Sequence, residues 1–347
     1  MDIKFDYETE VSRIIELLKE IESDDEIDDG LKKHTVIMAP DIGGKDKTYA
    51  INKRNYKLRV YSHGGRILEL TTQRKAKNSY FPNKDYLGKK KDESDYNYKP
   101  TKWDDEMMKR VYEKSGALKY EDIKKDDLKK AIEIAKVRGD AIAQERSLET
   151  YLVCRNREEN NKGIIIDMEF YCPEDWLTEC DKRIKSPKYP SSHTGKPDLI
   201  VYDSETQSFG LIELKYKNES VKNVDKHFID FYNIINGKSD EIKKEFVRKL
   251  LYLKHYGLIN NDIDSKALDK AFLCENNIWV GFLFIDGEEE KSKCIYKGGY
   301  TEFKQCKIET EKKYGQKLKT IEYGFCYYKN LEDPVDFSKK AFNFKSF

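Results

Sequence analysis

The sequence predicts an α/β domain with a mixed sheet flanked by helices, preceded by a smaller α+β unit. Three observations predict it. Apolar stretches of strand length cluster at 163–171, 198–202 and 209–217. Helical and strand-like segments then follow in the order helices, strand, helix, strand, which belongs to an α/β domain. Ahead of all this, residues 73–102 change character, with Lys, Asn, Asp, Tyr and Pro dominating and aliphatic residues nearly gone. The expected organisation is a small unit at 1–72 suited to recognition or partner binding, a charged linker or loop at 73–102, and the α/β domain at 103–347.

Each element has its own signal. Val11, Ile14, Ile15, Leu18 and Ile21 recur at helical spacing, and an acidic run over 23–29 with Gly30 ends that helix. Short strands are expected at 35–38 and 48–52. Segments 56–61 and 66–71 flank Ser62-His63-Gly64-Gly65 and read as a hairpin. Lys89-Lys90-Lys91 reads as a solvated charge run. Helical patterns occupy 103–114, 120–137 and about 139–157, the last with Ile142, Leu148, Leu152 and Val153 on its apolar side. The strand at 163–171 is followed by a polar loop containing Pro173, Pro187, Pro190 and Pro197. The strand at 198–202, a turn at 203–208 and the strand at 209–217 come next. Helices at 221–235 and 240–255, a strand at 278–286, a helix near 300–314 and a strand at 321–328 complete the chain, without internal repeats.

Composition excludes several functional classes. Charged residues make up 37% of the 347 and hydrophobic ones 38%, yet 24 Tyr, 16 Phe and three Trp supply core volume. A net charge of +1 is not that of a polybasic coat, so nucleic acid would have to meet a local basic surface. The seven cysteines are scattered and never form C-x-x-C, against both a disulfide framework and a structural zinc site. No apolar run follows Met1-Asp2-Ile3-Lys4, and no stretch approaches the ~18 apolar residues of a membrane span. The expectation is a soluble, cytoplasmic protein that does not associate with membranes. No G-x-x-x-x-G-K-[ST] occurs and His63-Gly64-Gly65 is too short for a phosphate loop, so ATP use is unsupported. Nothing resembles a Ser/His/Asp order or an activated cysteine for covalent catalysis.

The informative constellation is Lys196-Pro197-Asp198-Leu199-Ile200 followed, on the next strand, by Glu213-Leu214-Lys215. An acid-x-Lys triplet alone is uninformative, since Asp2-Ile3-Lys4, Asp122-Ile123-Lys124 and Glu241-Ile242-Lys243 also satisfy it. Glu213-Leu214-Lys215 differs in lying on an apolar strand, where alternation puts Glu213 and Lys215 on one face. Burying a carboxylate and an ammonium costs several kcal/mol each unless they pair or bind a metal. A hairpin would bring Asp198 beside Glu213, and two neighbouring carboxylates invite a divalent cation. The plain structural alternative is an ion pair between Glu213 and Lys215 at a sheet edge, with Asp198 capping a turn.

Pro197-Asp198 and Glu213-x-Lys215 on successive strands resemble the PD-(D/E)XK, or restriction-endonuclease-like, superfamily. The resemblance covers 138–236 well and the later strands loosely, and residues 1 to about 100 share none of it. It implies a restriction-endonuclease-like sheet and Mg²⁺-dependent hydrolysis of phosphodiester bonds, with Mn²⁺ able to substitute. It also implies a glutamate on the helix before the first strand, for which Glu149 and Glu145 compete; Leu148 just before Glu149 favours that one. In this reading Asp198, Glu213, the backbone carbonyl of Leu214 and the helix glutamate hold metal, while Lys215 orients water or neutralises charge on phosphorus. DNA is the expected partner, with restriction or anti-phage defence as the implied setting, a possible homodimer, and a partner protein for the N-terminal unit. Two other readings stay open, an RNA-directed nuclease and a non-catalytic nuclease-like module that binds nucleic acid or scaffolds an assembly.

Secondary candidates for nucleic-acid contact are Lys196, Lys217, His193 and Lys226. Lys217 would extend the Glu213 face by one pleat, and His193 sits in the loop before Asp198. The helix at 221–235 carries Lys222, Lys226, His227 and Tyr232, of which Lys226 or Tyr232 could assist at the site. Tyr323, Tyr327 and Tyr328 could stack on bases, although alternation on a half-buried strand explains them more simply.

Overall fold

A computed structural model describes residues 8–22, 35–42, 56–71, 81, 105–112, 118–142, 144–158, 161–177, 183–185, 196–217, 224–259, 263, 278–330 and 334–344. The chain divides into two compact units, Met1–Arg155 with Tyr252–Leu258, and Asn156–Leu251 with Ile259–Phe347. The helices between Asp105 and Arg155 thus group with the first unit, whereas the sequence reading joined them to the second. The expected strand at 48–52, the acidic run at 23–29 and Lys89-Lys90-Lys91 lie outside the described residues.

The first unit pairs helices with a three-stranded antiparallel sheet, β1 (Thr35–Ile42), β2 (Tyr56–Ser62) and β3 (Gly65–Thr71), in the order β1-β2-β3. The expected hairpin forms, with Ser62 paired to Gly65. His63 and Gly64 both have positive φ, 47° and 75°, the two-residue turn whose twist matches the strands. Helix α1 (Glu8–Glu22) buries Val11, Ile14, Leu17 and Ile21, so its apolar stripe centres on Leu17 rather than on Ile15. Helix α2 (Asp105–Val111) is shorter than the pattern at 103–114 suggested. A 3-10 turn at Tyr120–Asp122 precedes α3 (Lys125–Ile142), which runs straight through Gly139. Helix α3 packs on α1 and on β2 and β3, which cover Leu128, Ala131, Ile132 and Ala135; that packing groups it with the first unit. On the sheet, Glu69 is buried among Arg59, Arg66 and Lys57. Burial pushes its carboxyl up, but the three cations outweigh that and hold it below its ordinary value.

Helix α4 (Gln144–Glu158) carries the chain from the first unit into the second at Asn156. The second unit is a mixed six-stranded sheet in the order β4-β5-β6-β7-β8-β9. Strands β4 (Gly163–Met168), β5 (Leu199–Asp203) and β6 (Ser208–Tyr216) form an antiparallel meander. Strands β7 (Ile278–Ile285) and β8 (Tyr323–Tyr328) continue parallel to β6, and β9 (Asn343–Phe344) closes the far edge antiparallel. Parallel neighbours need crossovers. They are α5 (Val224–Ile235) with α6 (Ser239–His255) between β6 and β7, and α7 (Glu289–Tyr314) between β7 and β8. The mixed α/β architecture expected from the sequence is therefore present. The sequence reading missed the first half of α7 and all of β9.

One face of this sheet is an aromatic layer. Phe228 of α5 is fully buried, with its ring 4.4 Å from Phe282 and 4.7 Å from Tyr323. On the other side of the unit the C-terminal segment crosses back to β4. A Cβ on Gly163 would fall 2.2 Å from the backbone carbon of Phe337, so only glycine allows that approach. Asp203 secures the crossing, since one carboxylate oxygen accepts the Lys339 amide at 2.8 Å while the other caps its own turn through Glu205. Strand β4 is an edge strand, and the buried Asn156 amide pairs with Gly163 O and Ile165 N as a neighbouring backbone would. Among the described residues no helix is long and apolar enough to cross a membrane.

Candidate active site

The β5–β6 hairpin sets the geometry. Its ladder runs from Asp203–Ser208 to Leu199–Ile212, and one step further places Asp198 opposite Glu213. Directly opposed residues of an antiparallel pair share a face. Asp198 Oδ2 accepts the Leu214 amide at 2.7 Å, and its backbone carbonyl accepts the Glu169 amide at 2.8 Å, so this residue is fixed between β4 and β6. Asp198 is half-buried, while Glu213 and Lys215 are buried on a strand that is otherwise apolar.

Glu213 is the centre of the cluster. Its Oε1 accepts from Lys215 Nζ at 2.5 Å and lies 3.1 Å from Nε2 of His227. Its Oε2 is buried and has no hydrogen-bond partner among the described residues. Burial drives this carboxyl up. The His227 imidazole and the Lys215 ammonium overcome that and hold it at about 2, so Glu213 is an anion throughout the neutral range. One turn along α5, Asp230 behaves in the opposite way. Burial pushes it up to about 7, the Glu213 charge adds to the rise, and Lys226 and His227 only partly oppose it.

A buried carboxylate oxygen with no hydrogen-bond partner among the described residues is the kind of group a hard divalent cation could satisfy. Asp198, Glu213 and the carbonyl of Leu214, the ligands that the sequence resemblance implies, are the groups that could hold one. Among the described residues no group of three or more His, Cys, Asp or Glu side chains is so placed. The two helix acids belong to the first unit, where Glu149 is buried and Glu145 half-buried on α4.

Lys196 is exposed, with its ammonium 3.8 Å from Glu169. Lys217 does not extend the Glu213 face. Strand β6 ends at Tyr216, Lys217 turns to a φ of 53°, and its ammonium sits 4.9 Å from the centre of the Tyr216 ring. Lys226 is half-buried on α5 and acts electrostatically on Asp230. His193 and Lys222 lie outside the described residues. Tyr232 is buried with its ring 5.7 Å from Phe303, a packing position. Tyr323 donates to Phe228 O, Tyr327 to Gly287 O, and Tyr328 accepts the Asp336 amide, so all three hydroxyls are used within the fold.

His227 is the site residue that the sequence reading passed over in favour of Lys226 and Tyr232. The signal was its position beside Phe228 and one turn before Phe231, at the margin of the apolar stripe that faces the sheet. Comparison with family models, with curated proteins and with solved structures returns no match for this chain.

Proposed function

We propose that the chain is a metal-dependent nuclease that hydrolyses phosphodiester bonds in DNA, with a restriction-endonuclease-like second unit. One observation carries the proposal: the Asp198 carboxylate accepts the backbone amide of Leu214, between Glu213 and Lys215 on β6, and the buried Glu213 Oε2 has no hydrogen-bond partner among the described residues. Mg²⁺, or Mn²⁺ in its place, would be held by Asp198, Glu213 and the Leu214 carbonyl. A cation bound there supplies Lewis acidity toward phosphate oxygens and makes water a better nucleophile at neutral pH. His227 and Lys215 together keep Glu213 ionised, and Lys215 brings a positive charge to a face where negative charge grows during phosphodiester cleavage. Asp198, fixed by the Leu214 amide, keeps its orientation without substrate, which is the preorganisation such a site requires.

A second reading has its own observation. Glu213 Oε1 already meets the Lys215 ammonium and His227 Nε2, contacts that would also satisfy it in a nuclease-like module that binds nucleic acid without cutting it. Incubation with supercoiled plasmid, linear duplex, single-stranded DNA and RNA, each with Mg²⁺, Mn²⁺ or EDTA, separates the readings. Cleavage of DNA that requires a divalent cation is the expected result. Cleavage of RNA alone would change the substrate class. Nucleic-acid binding without cleavage on any substrate would favour the non-catalytic module.

A further inference from the structure

His227 stands apart from the rest of the cluster because it comes from a helix rather than the hairpin. Its imidazole Nε2 meets the same Glu213 oxygen that Lys215 meets, Oε1, at 3.1 Å. Two donors on one oxygen leave the other, Oε2, buried and unclaimed among the described residues. A carboxylate side chain rotates about its last bond, and a single donor leaves that rotation loosely defined. A second donor approaching from α5 fixes which oxygen is offered.

The helix is positioned to do this reliably. Phe228, the next residue, is fully buried, its ring 4.4 Å from Phe282, and Phe282 is the parallel-strand neighbour of Glu213 in the sheet. The same ring meets Tyr296 at 5.3 Å and Tyr323 at 4.7 Å, so α5 is fixed over β6 and β7 from three sides. The His227 side chain is 24% exposed, against 2% for Glu213 and 7% for Lys215. It therefore bridges the buried carboxylate and the open side of the site.

We infer that His227 is a positioning residue, which donates to Glu213 Oε1 so that Oε2 alone is presented to a divalent cation. The inference rests on the metal-site reading above and adds to it a residue on α5, the helix after β6. Residues that orient a ligand from behind typically change metal affinity by about ten- to a hundredfold when removed.

The test is calorimetric titration of Mn²⁺ into the full chain at fixed pH, comparing wild type with His227→Ala, His227→Asn and His227→Gln. Circular dichroism and melting of the metal-free proteins confirm that each variant is folded. Glutamine can place an N–H near the position of Nε2, while asparagine is one bond too short. The expected result is near-wild-type affinity for H227Q and a loss of roughly ten- to a hundredfold for H227N and H227A. Should H227A fold poorly, the contrast between H227Q and H227N decides alone. Equal affinity in all four proteins would overturn the inference while leaving the metal site intact. Loss in H227Q equal to that in H227A would also overturn it, since the imidazole would then act as a ligand itself. Absence of Mn²⁺ binding by wild type would overturn the metal-site reading and this inference together.

Discussion

At the scale of residues, the site holds two buried carboxyls that burial alone would treat alike. Glu213 meets His227 Nε2 and the Lys215 ammonium and is held at about 2, whereas Asp230, beside an anion, is pushed up to about 7. The second shift has a consequence for stability. An unfolded aspartate ionises near 3.8, so between about pH 4 and 7 the folded state keeps a proton that the unfolded state has lost. Stability therefore falls as pH rises through that window, and levels off above it. Asp230→Asn removes the titration, and the variant should gain on wild type by roughly 2–4 kcal/mol between pH 4 and pH 7.5. Urea unfolding at the two pH values measures this, and a gap independent of pH would show that Asp230 ionises normally in the folded state. Glu213 and Lys215 were legible in the sequence because charges on an apolar strand are conspicuous. His227 was not, because a helical histidine beside phenylalanines looks the same whether it faces solvent or the sheet.

At the scale of elements, what could be read from the sequence depended on how local the determining contacts are. The β2–β3 and β5–β6 hairpins were recognisable from alternation and turn residues, which act over a few positions. Helix α7 was half missed. Its first turns are rich in Lys and Glu and contain Gly298-Gly299, a poor helical signal that packing against α5 overrides. Strand β9 is two residues long and exists only because the C-terminal segment crosses the second unit to pair with β8. That crossing makes its own prediction. Gly163→Ala places a methyl against the backbone of Phe337 and Ser338, which cannot move aside as a side-chain tip would. Overpacking of this kind costs about 1–3 kcal/mol. It should also free the C-terminal segment for limited proteolysis at a rate wild type does not show. Unchanged stability and unchanged protection would mean that the segment is not held by this contact.

At the scale of the whole molecule, the division into units departs from what composition suggested. Composition breaks near residue 73, but the helices up to Arg155 group with the first unit, where α3 packs on α1 and on β2 and β3. Composition reports where the chain becomes polar, not which surfaces later meet. With a net charge of +1, the molecule has no global field to hold a polyanion, so any engagement of DNA must be local to the site and its surroundings. The functional reading accordingly rests on the β5–β6 hairpin. The most direct test is cleavage of the preferred nucleic acid by wild type, Asp198→Ala and Lys215→Ala, prepared identically and assayed with Mn²⁺ or EDTA. The expected result is cation-dependent cleavage by wild type and a loss of at least roughly a hundredfold in each folded variant. Cleavage that persists in Asp198→Ala, or that survives EDTA, would rule out a metal-dependent site on this hairpin.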